Sequence, residues 1–386
     1  MTHEHVTSAQ NETRREDAGR DRLAESFRST APSVVASARD ERQHWGVPLT
    51  GTSRLIVDET RALANDMLFP DALVTDASLT LPQSNLDALA SLGLYGAAMP
   101  QQVGGLGLSP TQLLEVIEIL SGGCLTTAFV WLQHLGASNV VAHADHLIAD
   151  GTAAAVALGE VRLGVAFAHL RRPGPAVLSA SQSSGGWLLN GAAPWVTGWE
   201  RIHRVHTAAL RRDDAQTIVW ALINAVVGPT LRVERLDLAA VNASSTVTVH
   251  FDDHFVPDDR ITVIEPLREW IVRDAAGLRT NGSLAIGLAQ RCLTLLGDHG
   301  DALADELAHR RASLDAALSE IEMATARAEA SAFALRCSAA ALALGGGRSI
   351  VRDHQAQRLA REALFLLVQG QTATIKSAQL EIFTRP

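Results

Sequence analysis

The segment Arg358–Lys376, near the end of the chain, has the layout of a functional loop. Two arginines and an apolar helical turn lead into Gly370-Gln371-Thr372. A site that removes a proton from carbon needs a base of suitable pKa, such as a carboxylate. Neither Gly370 nor the preceding Gln369 can take a proton from carbon. The segment therefore has the spacing of a functional loop but lacks the base.

Two histidine pairs, His143-x-x-His146 and His203-x-x-His206, have a spacing that metal ligands can use. No carboxylate or third histidine stands at a zinc-protease spacing. The second pair falls in a predicted strand, where residues three apart face opposite ways. We therefore predict no metal site. A phosphate-binding Gly-Lys-Ser/Thr loop, a Gly-x-Gly-x-x-Gly after a strand and a Gly-x-Ser-x-Gly elbow are also absent from the sequence.

The composition is typical of a globular protein with two or three structural units, since the 386 residues are 47% hydrophobic and 19% charged. A net charge of −9 argues against nucleic acid as the main partner. No apolar run approaches the length of a membrane span, so no membrane partner is expected. The 3 cysteines are scattered, which predicts free thiols in a reducing cytoplasm.

The hydrophobic periodicity changes along the chain and predicts four regions. A flexible N-terminal arm (1–45) has mixed charges and no apolar signal core. Residues 46–155 have helical spacing, and 156–263 have period-two patterns that predict about six to eight short strands. Residues 264–386 are Ala-rich and heptad-like, as in a helix bundle. These regions must position the functional loop.

Four further segments, together with the closing one, resemble the acyl-CoA dehydrogenase superfamily. Leu92–Leu120 has Leu-Gly-Leu, a Pro and Gly-Gly-x-Gly before a helix, and Gly185–Gly198 has an Asn-Gly turn before Trp-x-Thr. Val249–Ile261 resembles the strand and Val-Pro exit of the family's β domain, and Ala285–Leu293 the start of its first C-terminal helix. The resemblance covers roughly residues 50–386. It implies an α+β fold with an N-terminal helical domain, a middle β-barrel-like domain and a C-terminal four-helix bundle.

The same resemblance implies FAD as cofactor and an acyl-CoA-like thioester as substrate. By position, Trp195 would cover a face of the flavin ring and Thr197 would hydrogen-bond a flavin atom, while Thr372 stands at the family's loop threonine. Gly346 and Gly347 align with a turn that approaches the adenosine part of a neighbouring subunit's FAD, or form a plain interhelical turn. A homo-oligomer (dimer or tetramer), or a hetero-oligomer with a related subunit, is therefore expected.

Several positions depart from the family's pattern. Ala168 stands where relatives have a flavin-contacting threonine, so a backbone amide of the next residues would have to make that contact. Gly370 and Gly277 occupy the two positions at which family members carry their catalytic glutamate. The remaining base candidates are His169, which suits a structural role equally well, and Asp274, for which we favour a surface or ion-pair role.

The family's Arg-x-x-Phe-Gly, which grips the FAD diphosphate, is also missing. Arg310 or Arg311 could substitute for it. Arg171 and Arg172 could bind phosphates of CoA, although we favour the interpretation that both lie in a solvent-exposed loop. Glu362, the other carboxylate near the closing loop, is expected to pair with an arginine or support its helix.

The sequence thus predicts a divergent superfamily member without the catalytic glutamate. The leading interpretation is a FAD-dependent oxidoreductase that acts on the Cα–Cβ bond of an acyl-CoA or related thioester, with an unusual or partner-supplied base. One alternative is a non-catalytic subunit or pseudoenzyme paired with an active paralogue. Another is a flavin-dependent monooxygenase or oxidase on the same fold, because oxygen chemistry at reduced flavin needs no α-proton base.

Overall fold

The structure is a computed structural model that describes residues 51–171, 174 and 177–385, without the side chains of 51–53 and 276. The predicted arm (1–45) and Arg172 lie outside the described residues. Residues Thr52–Pro386 form one compact unit. The predicted boundaries between the helical and β regions remain predictions within that unit.

The first region is helical. Its α-helices are α1 (Gly51–Leu63), α2 (Ala72–Ala77), α3 (Gln83–Ser91), α4 (Pro110–Gly123), α5 (Leu125–Ala142), α6 (Asp145–Ala149) and α7 (Thr152–Ala157). The start of α4 is a capping box, in which the Ser109 hydroxyl accepts from the Gln112 backbone N–H and the Gln112 side chain accepts from the Ser109 backbone N–H. Most of α5 is buried because it is apolar on nearly every side.

The middle region is a sheet of eight strands. They are β1 (Leu163–Ala166), β2 (Leu178–Ser183), β3 (Gly186–Val196), β4 (Arg204–Arg211), β5 (Thr217–Asn224), β6 (Leu231–Arg235), β7 (Val247–Pro257) and β8 (Ile261–Pro266). The order is β6-β7-β3-β2-β4-β5-β8, and β1 pairs with β4. The register between β3 and β7 shifts between Ala193 and Val196. Such an irregularity re-aims a side chain, here that of Trp195.

The last region is helical again. Its α-helices are α8 (Leu267–Leu296), α9 (Asp298–Ala316), α10 (Glu320–Gly345), α11 (Gln355–Val368) and α12 (Ala373–Thr384). Apolar residues of α8, α10 and α11 share one buried core with those of α4 and α5. The order of helices, central sheet and C-terminal helices confirms the predicted fold class.

One stretch of the described chain, Glu320–Ile350, is long and apolar enough to cross a membrane by length and composition alone. The expectation that no run reaches that length is therefore wrong. Most of this stretch is α10, whose buried residues include Phe333 and Cys337 and pack in the shared core. A helix that packs in a bundle core can have the same composition, and 39% of the apolar window of this stretch is buried in that way.

Helices α4 and α8 approach each other closely at Gly287. A Cβ atom built on Gly287 would lie 2.0 Å from the carbonyl oxygen of Glu118, far inside van der Waals contact. Side chains also tie the two helices together: the Ser121 hydroxyl donates to the Leu284 carbonyl at 2.6 Å, and Arg291 Nε donates to the Gly122 carbonyl at 2.7 Å. The contact thus requires a residue without a side chain.

We expect Gly287→Ala to lower the free energy of unfolding by about 2 kcal/mol, because the added methyl group forces two helix backbones apart. Gly277→Ala is the matched control on the same helix, since a Cβ there meets nothing within 4 Å. Alanine has the higher helix propensity, so the control should be neutral or stabilising by up to about 1 kcal/mol. Urea titrations of both variants test this, and equal effects would contradict the close-packing argument.

Candidate functional site

A cavity of about 1160 Å³ lies where the sheet, α5, α8 and the closing loop meet. Its wall includes backbone and side chains from all three regions of the described chain. Most of the site positions predicted from the sequence line it, namely Ala168, Trp195, Thr197, Asp274, Gly277, Gly370 and Thr372. The fold therefore brings together residues that are more than 200 positions apart in the sequence.

His169, Gly346 and Gly347 are not part of the cavity wall. His169 is buried, and its Nε2 lies 3.0 Å from the carbonyl oxygen of Ala208. Because a carbonyl only accepts, Nε2 must carry the proton there. Gly346 and Gly347 are exposed, and no atom lies within 4 Å of a Cβ built on either. Their predicted role at a neighbour's cofactor remains a prediction.

Trp195 is held in an unusual conformation at the cavity. Its φ is +65°, a region that a bulky residue rarely adopts. Such a conformation costs about 1–3 kcal/mol and persists only where the surrounding structure imposes it, commonly at functional sites. The side chain stays 42% exposed, so its own burial does not explain the strain. The strained residue is one of those that line the cavity.

Thr197 lies two residues further along and is buried. Its Oγ1 is 3.1 Å from Oγ1 of Thr246, which in turn is 2.8 Å from Oγ of Ser244. Both threonines line the cavity. Either hydroxyl of each contact can be the donor, so this chain holds the Thr197 oxygen in place and leaves its O–H able to donate to or accept from a ligand.

The two carboxylates in the cavity wall are both engaged. Arg171 donates to Asp274 through Nε at 2.7 Å and Nη2 at 2.6 Å, so of the two roles expected for Asp274, at the surface or in an ion pair, the structure shows the ion pair. Glu265 accepts from Arg273 and, at 2.7 Å, from the indole N–H of Trp220. Among the described residues that line the cavity, no other carboxylate is present. The wall thus offers no free carboxylate base.

The same ion pair corrects the interpretation of Arg171. A solvated loop was favoured from the sequence, but the Arg171 side chain is only 14% exposed. Its guanidinium also lies 5.1 Å from the ring centre of Phe167, on the cavity wall. The partner Asp274 stands 103 residues away in the sequence, so no local pattern could reveal the pair.

The arginines considered for the FAD diphosphate have partners within this chain. Arg310 pairs with Glu306 at 3.0 Å and Glu329 at 2.8 Å. Arg311 pairs with Glu118 at 2.9 Å. Both guanidinium groups are thus neutralised locally, and their substitution for the missing family arginine remains a prediction without structural support.

An aromatic wall of the cavity was missed from the sequence. The His206 ring stacks on Trp220 with ring centres 4.6 Å apart, and Phe167 and Trp270 extend the group. These residues come from separate elements of the chain, and nearly every residue of β4 and β5 is buried, so no alternation of burial marks His206 and Trp220 as facing the cavity. His206 Nε2 also lies 2.8 Å from the Thr262 hydroxyl.

Burial lowers the pKa of His206 from 6.5 to about 4. Between these values the unfolded chain binds a proton at this residue and the folded protein does not, so stability falls as the pH falls. We expect His206→Gln to make the free energy of unfolding less dependent on pH in this window, by up to about 1.4 kcal/mol per pH unit.

Urea titrations from pH 7 to about pH 4 measure this slope. His143→Gln, at an exposed position immediately after α5, is the control. If both variants keep the slope of the unsubstituted protein, His206 is not a source of the acid sensitivity.

Comparisons with known proteins agree with this architecture. The family model "Acyl-CoA dehydrogenase, N-terminal domain" matches residues 50–153. The 3-sulfinopropanoyl-CoA desulfinase of Paraburkholderia xenovorans is 25% identical over 380 residues, which cover 86% of this chain and 95% of that protein. L-evernosamine nitrososynthase of a Micromonospora species is 30% identical over 270 residues, which cover 65% of this chain and 59% of that protein.

A solved structure supports the same fold. Glutaryl-CoA dehydrogenase in its glutaryl-CoA complex matches with a TM-score of 0.72 and 18% identity, over 88% of this chain and 97% of that one. The matched family model, the relatives over most of the chain and the shared fold agree with the motifs read from the sequence. The chain belongs to the acyl-CoA dehydrogenase superfamily.

Proposed function

We propose that the protein is a FAD-dependent oxidoreductase that acts on an acyl-CoA or related thioester. Membership of the superfamily supports this proposal. The observation that carries it is Trp195, because the fold holds its backbone at φ +65° and leaves the ring 42% exposed on the cavity. An exposed aromatic face at a strained position is suited to cover a planar cofactor.

The residues present fit a flavin. Trp195 would cover one face of the ring, and Thr197, oriented by Thr246, would hydrogen-bond a ring heteroatom. Bound FAD would accept a hydride, which carries two electrons, from the substrate. Thr372 supports the loop beside the cavity, since its hydroxyl caps α12 by accepting from the Ile375 N–H at 3.2 Å. This chain's task is to bind the ligand, orient it and exclude water.

Among the described residues of the cavity wall, no carboxylate is left unpaired to act as the base of an α,β-dehydrogenation. Gly277 and Gly370 line it without side chains, and Asp274 and Glu265 are held by arginines. We therefore propose that any proton taken from the substrate's α-carbon goes to a group outside this cavity wall, such as a residue of a partner subunit. A homo- or hetero-oligomer is part of this proposal.

A second candidate is a flavin-dependent monooxygenase or oxidase. Oxygen chemistry at the reduced flavin needs no α-proton base, which agrees with the engaged carboxylates. The 30% identity to a protein named as a nitrososynthase also favours this candidate.

The purified full chain tests these proposals through flavin content. A yellow protein that carries FAD supports a flavoenzyme, and bleaching of the flavin by an acyl-CoA without oxygen supports the thioester oxidoreductase. The second candidate is supported if acyl-CoA does not bleach the flavin but another reductant does, and if the reduced flavin is then reoxidised with consumption of oxygen. A colourless chain that added FAD does not reconstitute, alone or with a co-expressed related subunit, would contradict both.

A further inference from the structure

Gly370 lies at a point of the cavity wall where two hydrogen-bond donors meet. A Cβ atom built on Gly370 would lie 2.8 Å from Nδ2 of Asn281 and 3.4 Å from Nη1 of Arg171. All three residues line the cavity. Gly370 also has a φ of +61°, which favours glycine. The missing side chain thus opens space in front of both donors.

Neither donor is used within the described part of the chain. Arg171 binds Asp274 through Nε and Nη2, and its third nitrogen, Nη1, makes no hydrogen bond with a described residue. The Asn281 side chain likewise makes none, although its backbone carbonyl accepts from Arg327. The guanidinium is held rigid by its two bonds to Asp274, so Nη1 is fixed toward the space at Gly370.

A buried positive charge, that of Arg327, lies close to these donors. Arg327 is 1% exposed, and it donates to the backbone carbonyls of Asn281 and Gln369, each at 2.9 Å. No carboxylate pairs with it among the described residues, and its Nε has no partner there. Burial, with a contribution from the Arg171 charge, lowers the pKa of Arg327 to about 10, so it remains a cation at neutral pH. Asp274 balances the charge of Arg171, and no described carboxylate balances the charge of Arg327.

We propose that the cavity binds a carboxylate-class anionic group of its ligand at Gly370, between Asn281 and Arg171. Two convergent donors and one buried cation without a described counter-charge favour the binding of an anion. They disfavour the binding of a methyl group, which would exclude water from the donors without giving them a hydrogen-bond acceptor. This inference rests on the proposed function in so far as it identifies the substrate as a thioester with a second, anionic end. In place of the family's glutamate, the ligand itself brings the negative charge.

Matched thioesters test the inference by calorimetric titration of the full chain with saturating FAD. Propanoyl- and malonyl-CoA, butanoyl- and succinyl-CoA, and pentanoyl- and glutaryl-CoA form three pairs in which a carboxylate replaces a terminal methyl group. In at least one pair the acidic member should bind about tenfold more tightly or better, the effect of one or two hydrogen bonds to a charged group.

Two variants at the site and one control sharpen the test. Gly370→Ala places a methyl group against Asn281, and Asn281→Asp replaces a donor with a like charge while keeping the backbone contact to Arg327. Each should reduce the preference for the acid to about twofold or less. Gly277→Ala, in open space on the same cavity wall, should retain the preference. Asn281→Asp keeps the test valid if Gly370→Ala fails to fold.

The outcomes separate the inference from the proposed function. Equal binding of both members in every pair, or a preference that survives both site variants, overturns the anionic subsite and leaves thioester binding intact. If no thioester binds, free glutarate is the probe. Its binding to the unsubstituted protein but not to Asn281→Asp supports the subsite and contradicts the thioester function. Failure of both thioesters and glutarate overturns both.

Discussion

Replacing Glu362 by Gln is expected to lower the free energy of unfolding by about 3–5 kcal/mol. Glu362 accepts from Arg358 Nη1 at 2.6 Å, and the two side chains are only 2% and 1% exposed. Burial raises the pKa of the Glu362 carboxyl and the Arg358 charge opposes this rise. Without the carboxylate, a cation at the centre of the bundle loses its counter-charge and cannot reach water.

An exposed pair with the same helical spacing is the control. Glu381 and Arg385 are also four residues apart but are 59% and 72% exposed, so Glu381→Gln should cost about 0.5 kcal/mol or less. The double variant Glu362→Leu with Arg358→Met should recover most of the loss, because no unpaired charge remains. Urea titrations measure all three. Similar small effects of Glu362→Gln and Glu381→Gln would show that the buried arginine finds another way to be solvated.

Replacing Trp195 by alanine or by glycine should weaken flavin binding to a similar extent but affect stability differently. Trp195→Ala and Trp195→Gly both remove the ring, so both should weaken FAD binding by at least about tenfold. Only glycine tolerates a φ of +65° without strain. We therefore expect the flavin-free glycine variant to be more stable than the alanine variant by about 1 kcal/mol.

Flavin fluorescence titrations measure the affinity, and urea titrations of the flavin-free proteins measure the stability. The two variants form a matched pair, because they differ only in the strain that remains at residue 195. Unchanged FAD affinity in both would remove Trp195 from the cofactor site and with it the observation that carries the proposed function. Equal stability of both would show that the backbone relaxes once the ring is gone.

Much of the fold and several site positions could be predicted from the sequence. Changes in periodicity separate the helical regions from the strands because burial repeats at 3.6 residues in a helix and at two in a strand. Gly277 and Gly370 were placed at the base positions by motif spacing, and the structure finds both in one cavity wall. The ion-pair roles expected for Asp274 and Glu362 are also present.

The predictions that failed concern residues whose surroundings come from distant parts of the chain. Arg171 was expected in solvent, but a bidentate partner 103 residues away holds it in the cavity wall. The apolar length of α10 was overlooked because scattered charges interrupt it, and neighbouring helices bury only part of it. The aromatic wall of His206 and Trp220 could not be seen, since it is assembled from separate strands.

The sequence by itself determined the order of the elements and the superfamily, and it predicted glycine at both base positions, because these depend on residue types and local spacing. Only the tertiary structure decided which charges are free. It engages both cavity carboxylates, places no described carboxylate against Arg327 and brings Nη1 of Arg171 and the Asn281 amide close to Gly370. The reason is physical: an ion pair or a shared cavity depends on distances of a few ångströms between side chains that the chain brings together only when it folds.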